Sequence, residues 1–346
     1  MGTTQAAVDD AMRRALDLAR RGPAHGPNPR VGCVILAPDH TTVLGEGWHR
    51  GAGTPHAEIA ALADATARGH DTHGATAVVT LEPCNHTGRT GPCAQALLDA
   101  GITHVVHAIP DPGATSGGGA DALRAAGVTV TSGTRADEAL QLVHHWHHAL
   151  TTGRPWVTLK TATTLDGRIA AADGTSRWIT GPQARAHAHT VRADVDAIAV
   201  TTGTALADDP ALTARAADGS LAAHQPVRVV VGHRNLPAGA RLHGPGGELL
   251  HLRTHDVTAV LAELQAREVR HLLVEGGPAL AAAFLAAGVV DEVHAYVAPV
   301  ILGEGPAAVA PFGVSTIAAA PRWRTVATHR LGDDVLVVAG PTSQEH

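Results

Sequence analysis

The sequence predicts a two-domain α/β protein, and three observations support this. With 346 residues the chain is longer than a typical single domain. Strand and helix patterns alternate along both halves, which is typical of sheets covered by helices. The turn-rich stretch Thr151-Thr152-Gly153-Arg154-Pro155 interrupts that alternation. We therefore expect one domain over residues 1–150 and a second over residues 154–346.

The first domain opens on an amphipathic helix at residues 6–21, whose apolar side chains recur at helical spacing. Short apolar runs and turn residues then predict strands at 31–36, 43–47, 75–81, 104–109 and 128–132. Further predicted helices are 56–68, 93–100, 121–126 and 136–150. Strands separated by helices of this length indicate a mostly parallel sheet.

The second domain restarts the same alternation after Pro155. Its predicted strands are 156–162, 197–201, 227–231, 249–252, 271–275 and 292–297. Its predicted helices are 182–191 and 278–287. This pattern predicts a second α/β sheet with its own core.

Composition narrows the classes of function. Hydrophobic residues make up 45% and charged residues 17%, an ordinary globular balance. A net charge of −6 argues against a nucleic-acid partner and favours a small-molecule substrate. The longest apolar run, around residues 278–290, is too short to span a bilayer, and no targeting segment is visible. Three cysteines do not suggest a disulfide framework, so we expect a cytoplasmic protein.

The most informative motif combines His56-Ala57-Glu58, Pro83-Cys84 and Cys93. One imidazole and two thiolates make a zinc set with a fourth position open for water, as in catalytic rather than structural sites. Glu58 is placed to move a proton without ligating the metal. Zinc deaminases that act on nucleobases use this H-x-E and P-C arrangement. The sequence therefore predicts hydrolytic deamination of a nucleobase-like ring.

Residues 85–92 separate the two cysteines, where the common motif has only two residues. This loop is rich in hydrogen-bond donors and fits a phosphorylated or sugar-bearing substrate. A structural zinc site, or unrelated His and Cys in a chain with 24 His, is the alternative. The Pro-Cys step and the strand-to-helix context favour catalysis.

Two weaker signals receive a structural interpretation. Cys33 lies within an apolar strand and is expected to be a small core residue. The histidines of residues 144–148 surround Trp146 on a predicted helix. We expect an exposed helix face there, with a secondary metal site as the alternative.

Motifs along residues 6–340 resemble the bifunctional riboflavin-biosynthesis deaminase/reductase (RibD) family. Those of the first half are Asn28-Pro29-Arg30-Val31-Gly32, His56-Ala57-Glu58, residues 80–93 and Asp111-Pro112. Those of the second half are residues 157–160, 165–168, 176–180, 207–213, 225–228 and 274–277. So many motifs in one order make coincidence an inadequate explanation.

The resemblance implies a cytidine-deaminase-like α/β/α domain followed by a dihydrofolate-reductase-like α/β domain. The first would use Zn²⁺ to remove the 2-amino group of 2,5-diamino-6-ribosylamino-4(3H)-pyrimidinone 5′-phosphate. The second would use NADPH to reduce 5-amino-6-(5-phosphoribosylamino)uracil to its ribityl product. The chain would then be a hydrolase and an oxidoreductase acting on phosphorylated pyrimidines, and we expect a homo-oligomer.

The resemblance also assigns roles by position. Zinc falls on His56, Cys84 and Cys93, with Glu58 as the proton shuttle. The positions that match contacts to the two substrates are Asn28, His86, Arg89, Ser176, Arg192, Leu212, Arg215 and Glu275. The positions that match contacts to NADPH are Ala162, Trp178, Thr204, Asp208, Gly277, Pro278, Ala279, Leu280, Ala281, Ala282 and Ala283.

Part of the NADPH assignment has independent physical support. The Glu275-Gly276-Gly277 turn precedes a predicted helix, and the free N–H groups of a helix N-terminus suit a diphosphate. Without the resemblance, this turn would predict only a possible nucleotide site.

Lys160 is the only lysine in the chain, although arginine is common. The retained ammonium suggests that a guanidinium does not serve at this position. The resemblance places it in the reductase pocket beside the substrate ribose and the nicotinamide. We therefore expect a catalytic role, with a solvated strand-end charge as the alternative.

The chain departs from the family pattern at two places. Arg89-Thr90-Gly91-Pro92-Cys93 stands where the family usually has Lys-Thr-Pro-Pro-Cys. Gly232-His233 stands where the family commonly has Asp and a small polar residue, which changes the expected contacts to the adenine ribose. These departures leave open a paralogue that acts on a related pyrimidine in a specialised pathway.

Two further readings compete with a bifunctional enzyme. A tRNA or cytidine deaminase would share the zinc chemistry but would not need the second domain. A non-enzymatic nucleotide-sensing protein would keep the Gly-Gly turn but would not need Glu58 beside an open zinc position.

Overall fold

The computed structural model describes residues 2–86 and 91–342. The chain divides into two compact units, Met1–Gly153 and Arg154–His346. Each unit contains a sheet with helices, so the predicted two-domain α/β architecture is confirmed. In the described part of the chain, no helix is both long enough and apolar enough to cross a membrane.

The first unit is built on a five-stranded sheet. Its strands are β1 (Gly32–Leu36), β2 (Val43–Trp48), β3 (Thr76–Leu81), β4 (His104–Ile109) and β5 (Thr129–Ser132). Its helices are α1 (Gly2–Ala19), α2 (Ala57–Ala67), α3 (Cys93–Asp99), α4 (Gly119–Ala125), α5 (Ala136–Leu142) and α6 (His144–Thr152).

The strand order β2-β1-β3-β4-β5 makes this first sheet mixed rather than mostly parallel. Strand β1 is antiparallel to both β2 and β3, whereas β3, β4 and β5 are parallel. The prediction was wrong for β1 because the short connection after Leu36 allows only a hairpin, while parallel neighbours need a long crossover. The single helix predicted at 136–150 is also two helices, because Val143 has non-helical angles (φ −116°, ψ 17°).

Helix α2 lies unusually close to β2. Its buried face consists of alanines at four-residue spacing, Ala57, Ala61 and Ala65. Across from them, a Cβ on Gly47 would lie 2.4 Å from the backbone nitrogen of Ala61, so only glycine permits this contact. The packing fixes the start of α2, where His56 is the N-cap residue in extended conformation.

The second unit is built on an eight-stranded sheet. Its strands are β6 (Trp156–Thr164), β7 (Ala197–Thr201), β8 (Val227–Val231), β9 (Leu249–Leu252), β10 (His271–Val274), β11 (Glu292–Ala298), β12 (Trp323–Leu331) and β13 (Asp334–Pro341). Its helices are α7 (Pro182–Asp194), α8 (Thr202–Asp208), α9 (Val257–Ala266) and α10 (Pro278–Ala286).

The strand order of the second sheet is β12-β13-β11-β6-β10-β7-β8-β9. The six strands from β11 to β9 are parallel, and the hairpin β12–β13 adds two antiparallel strands at one edge. Alternate residues of β7 enter cores on opposite faces: Ala197 and Ala199 on one face, Ile198 and Val200 on the other. Burial on both faces is typical of parallel sheets covered by helices.

Candidate functional site

The first unit brings three potential metal ligands together. His56 caps α2, Cys84 follows β3 after Pro83, and Cys93 is the first residue of α3. One ligand atom from each residue lies within 4.8 Å of the others. The Nδ1 atom of His56 is 3.6 Å from Cys84 Sγ and 3.3 Å from Cys93 Sγ. The three residues predicted to bind zinc therefore converge from three separate segments.

The spacing of these donor atoms fits a zinc ion. Zinc bonds to nitrogen and sulfur measure about 2.0–2.3 Å, so a tetrahedral ion separates its donors by roughly 3.3–3.8 Å. Both His56–Cys distances fall in that range. A set of two thiols and one imidazole is also a typical zinc donor set and leaves one coordination position for another ligand.

The two cysteines of the cluster also form hydrogen bonds with each other. The backbone N–H of Cys93 donates to Cys84 Sγ over 3.4 Å, since Cys93 begins a helix whose first N–H groups are free. A hydrogen bond from the Cys93 thiol, supported by His56, lowers the pKa of Cys84 to about 4. Cys84 is therefore preorganised as a thiolate, the form that ligates zinc.

Glu58 lies in the first turn of α2 with only 4% of its surface exposed. Burial is the main cause that raises the pKa of its carboxyl group to about 7, and the neighbouring Cys84 acts in the same direction. A carboxyl group with a pKa near neutrality exchanges protons readily at physiological pH. Its position two residues after His56 keeps it beside the metal-ligand cluster.

His49 is a neighbour of the cluster that the sequence analysis missed. Its ring lies edge-on to that of His56, with 5.5 Å between centroids. His49 Nδ1 donates to the Pro55 carbonyl over 3.1 Å, so Nε2 can accept from Asn28 Nδ2 at 2.9 Å. Burial lowers the pKa of His49, which favours this neutral form. His49 thus fixes the amide of Asn28 near the cluster.

The pairing of β1 with β2 explains why His49 lies beside Asn28. The backbone N–H of His49 donates to the Val31 carbonyl, so residues just before β1 and just after β2 meet at the same end of the sheet. Asn28 precedes one strand and His49 follows the other. Pairing the predicted strands 31–36 and 43–47 as a hairpin would have brought the two together, because Asn28 lies three residues before the first strand and His49 two residues after the second.

A buried carboxylate holds the Cys84 loop. Glu82 accepts hydrogen bonds from the backbone N–H groups of Asp111 (3.1 Å), Gly118 (3.1 Å) and Ala120 (2.9 Å). These bonds attach the segment after β4 and the first turn of α4 to the residues that carry Cys84. Glu82 was not predicted, although a charged residue directly after an apolar strand is a usable signal for such a role.

The remaining predicted residues of this unit have different positions. His86 is half-buried two residues after Cys84, and its Nδ1 has no hydrogen-bond partner within the described residues. Arg89 lies outside the described residues. Cys33 is fully buried in β1, as expected of a core residue. The histidines of residues 144–148 are half-buried rather than exposed, because Trp146 is buried against the core of the unit.

The second unit contains a cavity of about 400 Å³ at the carboxyl ends of its parallel strands. Ligands of open α/β sheets bind at this edge. The lining comes from β6, β7, the residues after β10, and helices α8 and α10. It consists of residues 159–162, Ile169, Thr201, residues 203–204 and 207–208, residues 275–279, Ala281 and Ala308.

A charged network lies in this cavity. Parallel pairing of Val274 with Leu159 places the next residues, Glu275 and Lys160, side by side. The Nζ atom of Lys160 is 3.6 Å from Glu275 Oε2. Arg192, on α7, donates to both carboxylate oxygens of Glu275 over 2.7 Å. One buried carboxylate therefore interacts with two cations.

The two cations determine the charge of Glu275. Burial alone would raise its pKa, but the attraction of Arg192 and Lys160 is stronger and holds the pKa at about 2. The Lys160 ammonium also lies 5.8 Å from the centre of the Tyr296 ring. Lys160 is only 20% exposed. The lone lysine therefore lines the cavity, and its catalytic role stays a prediction.

The predicted NADPH contacts fall into two groups. Seven of the predicted contacts line the cavity, namely Ala162, Thr204, Asp208, Gly277, Pro278, Ala279 and Ala281. Leu280 and Ala282 are instead buried in α10, and Ala283 packs against the core on one face of the sheet. Trp178 is 69% exposed, outside the lining, and stacks under the Arg185 guanidinium at 4.6 Å.

Most predicted contacts to the reductase substrate lie outside the cavity lining. Of the set, Glu275 lines the cavity, and Arg192 reaches it through Glu275. Arg192 also donates to the Thr213 carbonyl over 3.2 Å, which connects the neighbouring Leu212 to the network. Ser176 is half-buried in the connection between β6 and α7, and Arg215 is exposed and bonded to the Gly219 carbonyl.

Thr201 and Gly203 line the cavity but were not predicted. Thr201 caps α8, because its hydroxyl accepts from the Thr204 backbone N–H over 3.0 Å. The run Thr201-Thr202-Gly203-Thr204 directly after an apolar strand carries the signal of an N-cap that could have located this helix.

Two family models match the chain, one for each unit. The model described as cytidine and deoxycytidylate deaminase zinc-binding region matches residues 6–109. The model described as RibD C-terminal domain matches residues 155–337. The first match contains the His56, Cys84 and Cys93 cluster, and the second contains the cavity with Lys160 and Glu275.

Curated relatives and solved structures match nearly the whole chain. The riboflavin biosynthesis protein RibD of Mycobacterium tuberculosis is 47% identical over 333 residues, which cover 95% of this chain and 96% of that protein. RibD of Escherichia coli is 39% identical over 361 residues, with 94% and 96% covered.

The solved structures agree with the sequence relatives. The crystal structure of a diaminohydroxyphosphoribosylaminopyrimidine deaminase/5-amino-6-(5-phosphoribosylamino)uracil reductase from Thermotoga maritima superposes with a TM-score of 0.87 at 32% identity, covering 97% of this chain and 99% of that one. Acinetobacter baumannii RibD superposes with a TM-score of 0.88 at 36% identity, with the same coverage. The chain therefore belongs to the RibD family of riboflavin-biosynthesis proteins, with a zinc-binding deaminase domain and an NADPH-dependent reductase domain.

Proposed function

We propose that the chain catalyses two successive steps on one phosphorylated pyrimidine. The unit Met1–Gly153 hydrolyses the 2-amino group of 2,5-diamino-6-ribosylamino-4(3H)-pyrimidinone 5′-phosphate and releases ammonia. The unit Arg154–His346 then reduces the ribosyl group of 5-amino-6-(5-phosphoribosylamino)uracil with NADPH. The observation that carries the proposal is the buried Glu58 beside the converging His56, Cys84 and Cys93, in a chain that also contains the Lys160–Glu275 cavity.

In the deamination step, His56, Cys84 and Cys93 would hold the metal. Zinc, when bound, supplies the Lewis acid that activates water for attack at neutral pH. The Glu58 carboxylate accepts one proton of the attacking water and delivers it to the ring nitrogen, and it then transfers the second proton of that water to the amine, which leaves as ammonia. Its burial suits this role, because a pKa of about 7 allows the group to accept and to release a proton.

Substrate binding in this unit depends on the polar groups around the cluster. The Asn28 amide is fixed by His49, and among the described residues its second N–H and its carbonyl oxygen remain for the pyrimidine. His86, just after Cys84, presents an imidazole from the donor-rich loop. We assign Asn28, His86 and Arg89 to the substrate on this basis and on their match to the family.

In the reduction step, NADPH supplies the hydride. Gly277 is the N-cap residue of α10, and the free N–H groups of the first helical turn suit the diphosphate, although Pro278 itself has no N–H to donate. The Lys160 ammonium is oriented by Glu275 and can donate to the ribosyl oxygen, which gains negative charge as the sugar ring opens. Arg192 holds the carboxylate that positions this lysine.

The working partners of this enzyme are its small phosphorylated substrates and NADPH. We place the enzyme in the cytosol and expect a homo-oligomer. The support for the cytosol is the cysteine count of three, which does not suit a disulfide framework.

The test is an assay of both steps with purified full-length protein. We expect zinc in the purified protein by elemental analysis, ammonia release from the diaminopyrimidine phosphate, and NADPH oxidation with the deaminated product. A protein that binds the pyrimidine phosphate but releases no ammonia would instead be a sensor. Release of ammonia from cytidine in preference to the diaminopyrimidine would indicate a different deaminase.

A further inference from the structure

We propose that Arg234 binds the 2′-phosphate of NADPH and sets the preference of the reductase unit for NADPH over NADH. The inference rests on the proposed function of the second unit as a dinucleotide-dependent reductase. It assigns a residue that follows β8 and belongs to neither the lining of the cavity nor the predicted contacts.

The first support is the position of the side chain. Strand β8 is the parallel neighbour of β7, and Gly203, just after β7, lines the cavity. The Nη2 atom of Arg234 lies only 2.9 Å from the point that a Cβ on Gly203 would occupy. The guanidinium therefore lies over the backbone at the rim of the cavity, in space left open by the glycine.

The second support is the state of the guanidinium. Arg234 is exposed, and within residues 2–86 and 91–342 it forms no hydrogen bond or ion pair. The neighbouring carbonyl of His233 and the side chain of Asn235 are both occupied by Arg253, at 2.9 and 2.7 Å. Arg253 thus fixes the residues on either side of Arg234, while the Arg234 guanidinium remains available for a ligand.

The third support is the charge pattern after β8. In dinucleotide folds, an arginine near the end of such a strand accommodates a 2′-phosphate. Here Arg234 is the third residue after the end of β8 at Val231. A guanidinium presents paired donors that match phosphate oxygens, which makes it the better anchor for this dianion.

The layout of the cavity determines which end of the cofactor reaches Arg234. Along the sheet the order is β6-β10-β7-β8. Lys160 on β6 marks the reacting end, and the Gly276–Gly277 turn after β10 lies next to it. A dinucleotide with its nicotinamide at Lys160 and its diphosphate at the turn continues toward β7 and β8. Its adenosine half, which carries the 2′-phosphate, therefore ends at Arg234.

The test separates the phosphate from the rest of the cofactor. Binding of 2′,5′-ADP and of 5′-AMP to the zinc-loaded full chain is measured by isothermal titration calorimetry, and NADPH and NADH are titrated in parallel. The variants are Arg234→Ala, Arg234→Lys and the matched control Arg330→Ala. Arg330 is an exposed arginine of β12, at the opposite edge of the same sheet.

We expect the wild-type chain to bind 2′,5′-ADP more tightly than 5′-AMP. Arg234→Ala should lower the affinity for 2′,5′-ADP and NADPH about ten- to a hundredfold, the usual effect of losing charge-assisted hydrogen bonds. The affinities for 5′-AMP and NADH should not change. Arg234→Lys should retain part of the preference, because the charge remains without the fork. Arg330→Ala should match the wild type for all four ligands.

Three results would overturn the assignment. Equal weakening of 2′,5′-ADP and 5′-AMP in Arg234→Ala would show a general loss of the adenosine site, and unchanged binding would show that Arg234 does not contact the phosphate. A wild-type chain that binds NADH as tightly as NADPH would also contradict it while leaving dinucleotide binding intact. A chain that binds neither dinucleotide would reject the proposed reductase function itself.

Discussion

Arg192 and Glu275 form a two-pronged ion pair in the cavity of the second unit. The Nε and Nη2 atoms of the guanidinium each donate to one carboxylate oxygen of Glu275 over 2.7 Å. The Glu275 side chain is only 6% exposed, and Lys160 Nζ approaches the same Oε2 atom at 3.6 Å. Because one carboxylate orients both cations, the stability of the unit and the position of Lys160 depend on the same residue.

Glu275→Gln should destabilise the second unit. Removing the carboxylate leaves Arg192 buried without its counter-charge, which typically costs about 3–5 kcal/mol. Hydrogen exchange of the β10 amides in the full chain measures this loss. The matched control is Glu263→Gln, which breaks the exposed pair with Arg267 and should cost less than about 1 kcal/mol. Equal losses of stability in the two variants would show that the buried pair stabilises the unit no more than the exposed pair does.

The same variant should change the acid stability. The folded pKa of Glu275, about 2, lies below the value of about 4.3 for an unfolded Glu. Its stabilising contribution is therefore complete above that unfolded value and is lost as the pH falls through about 2. The wild type should lose β10 protection over this window more steeply than Glu275→Gln does.

Lys160→Arg should impair reduction and leave deamination intact. A wide guanidinium at residue 160 would compete with Arg192 for Glu275 Oε2 and could not keep the position of the ammonium. We expect NADPH oxidation on the deaminated pyrimidine to fall by about a hundredfold, the typical effect of losing one preorganised donor. Zinc content and ammonia release should not change. Arg330→Lys, an exchange of the same two residue types on exposed β12, is the control, and wild-type NADPH turnover by Lys160→Arg would disprove a catalytic role.

Glu58→Gln should keep zinc and the fold but lose deamination. The amide occupies the same buried space in α2 yet cannot accept a proton from water. Losses of general acid–base groups are about a hundredfold or more, so ammonia release should fall at least that far. Glu138→Gln, at an exposed carboxylate paired with Arg135, serves as the control. Near wild-type ammonia release by Glu58→Gln would reassign the residue to a structural role.

The two units should fold when separated between Gly153 and Arg154. Arg154 belongs with the second fragment, because it donates to both oxygens of Asp291 over 2.6 and 2.7 Å. Each fragment retains a complete sheet and its own core. We expect ammonia release from residues 1–153 and NADPH oxidation by residues 154–346. Unfolded circular dichroism spectra for both fragments would contradict two autonomous domains.

The sequence was most informative where strands are buried on both faces. Short apolar runs located β4, β7 and β8 at the bounds that the structure has, and they also located β9, which is a half-buried edge strand. It failed for β12, whose residues are mostly exposed and therefore lack a clear apolar pattern. It also missed α9, although Asp256 is a regular N-cap whose side chain accepts from Thr258 N. The short connection after Leu36 was a usable signal for the antiparallel pairing of β1 with β2, whereas the antiparallel pairing of β1 with β3 joins distant segments and has no local signal.

The site residues also divide into those that the sequence could predict and those that it could not. His56, Cys84 and Cys93 could be predicted because zinc requires specific ligand types at recognisable positions. The roles of Arg192 and Glu275 as partners could not, because 83 residues separate them and no local spacing brings them together. His49 and Glu82 act through backbone carbonyls and N–H groups, which leave little trace in residue type.

The dependence of each step on the metal is the most direct test of two linked activities in one chain. Ammonia and NADPH are followed together after adding the diaminopyrimidine phosphate to zinc-loaded protein, to chelated protein and to Cys84→Ser, whose hydroxyl is a poor zinc ligand. We predict that ammonia release precedes NADPH oxidation in the loaded enzyme. Both signals should vanish without zinc, and NADPH oxidation should return when the deaminated pyrimidine is supplied. Ammonia release by fully metal-free protein, or failure of the supplied pyrimidine to restore NADPH oxidation, would contradict this assignment.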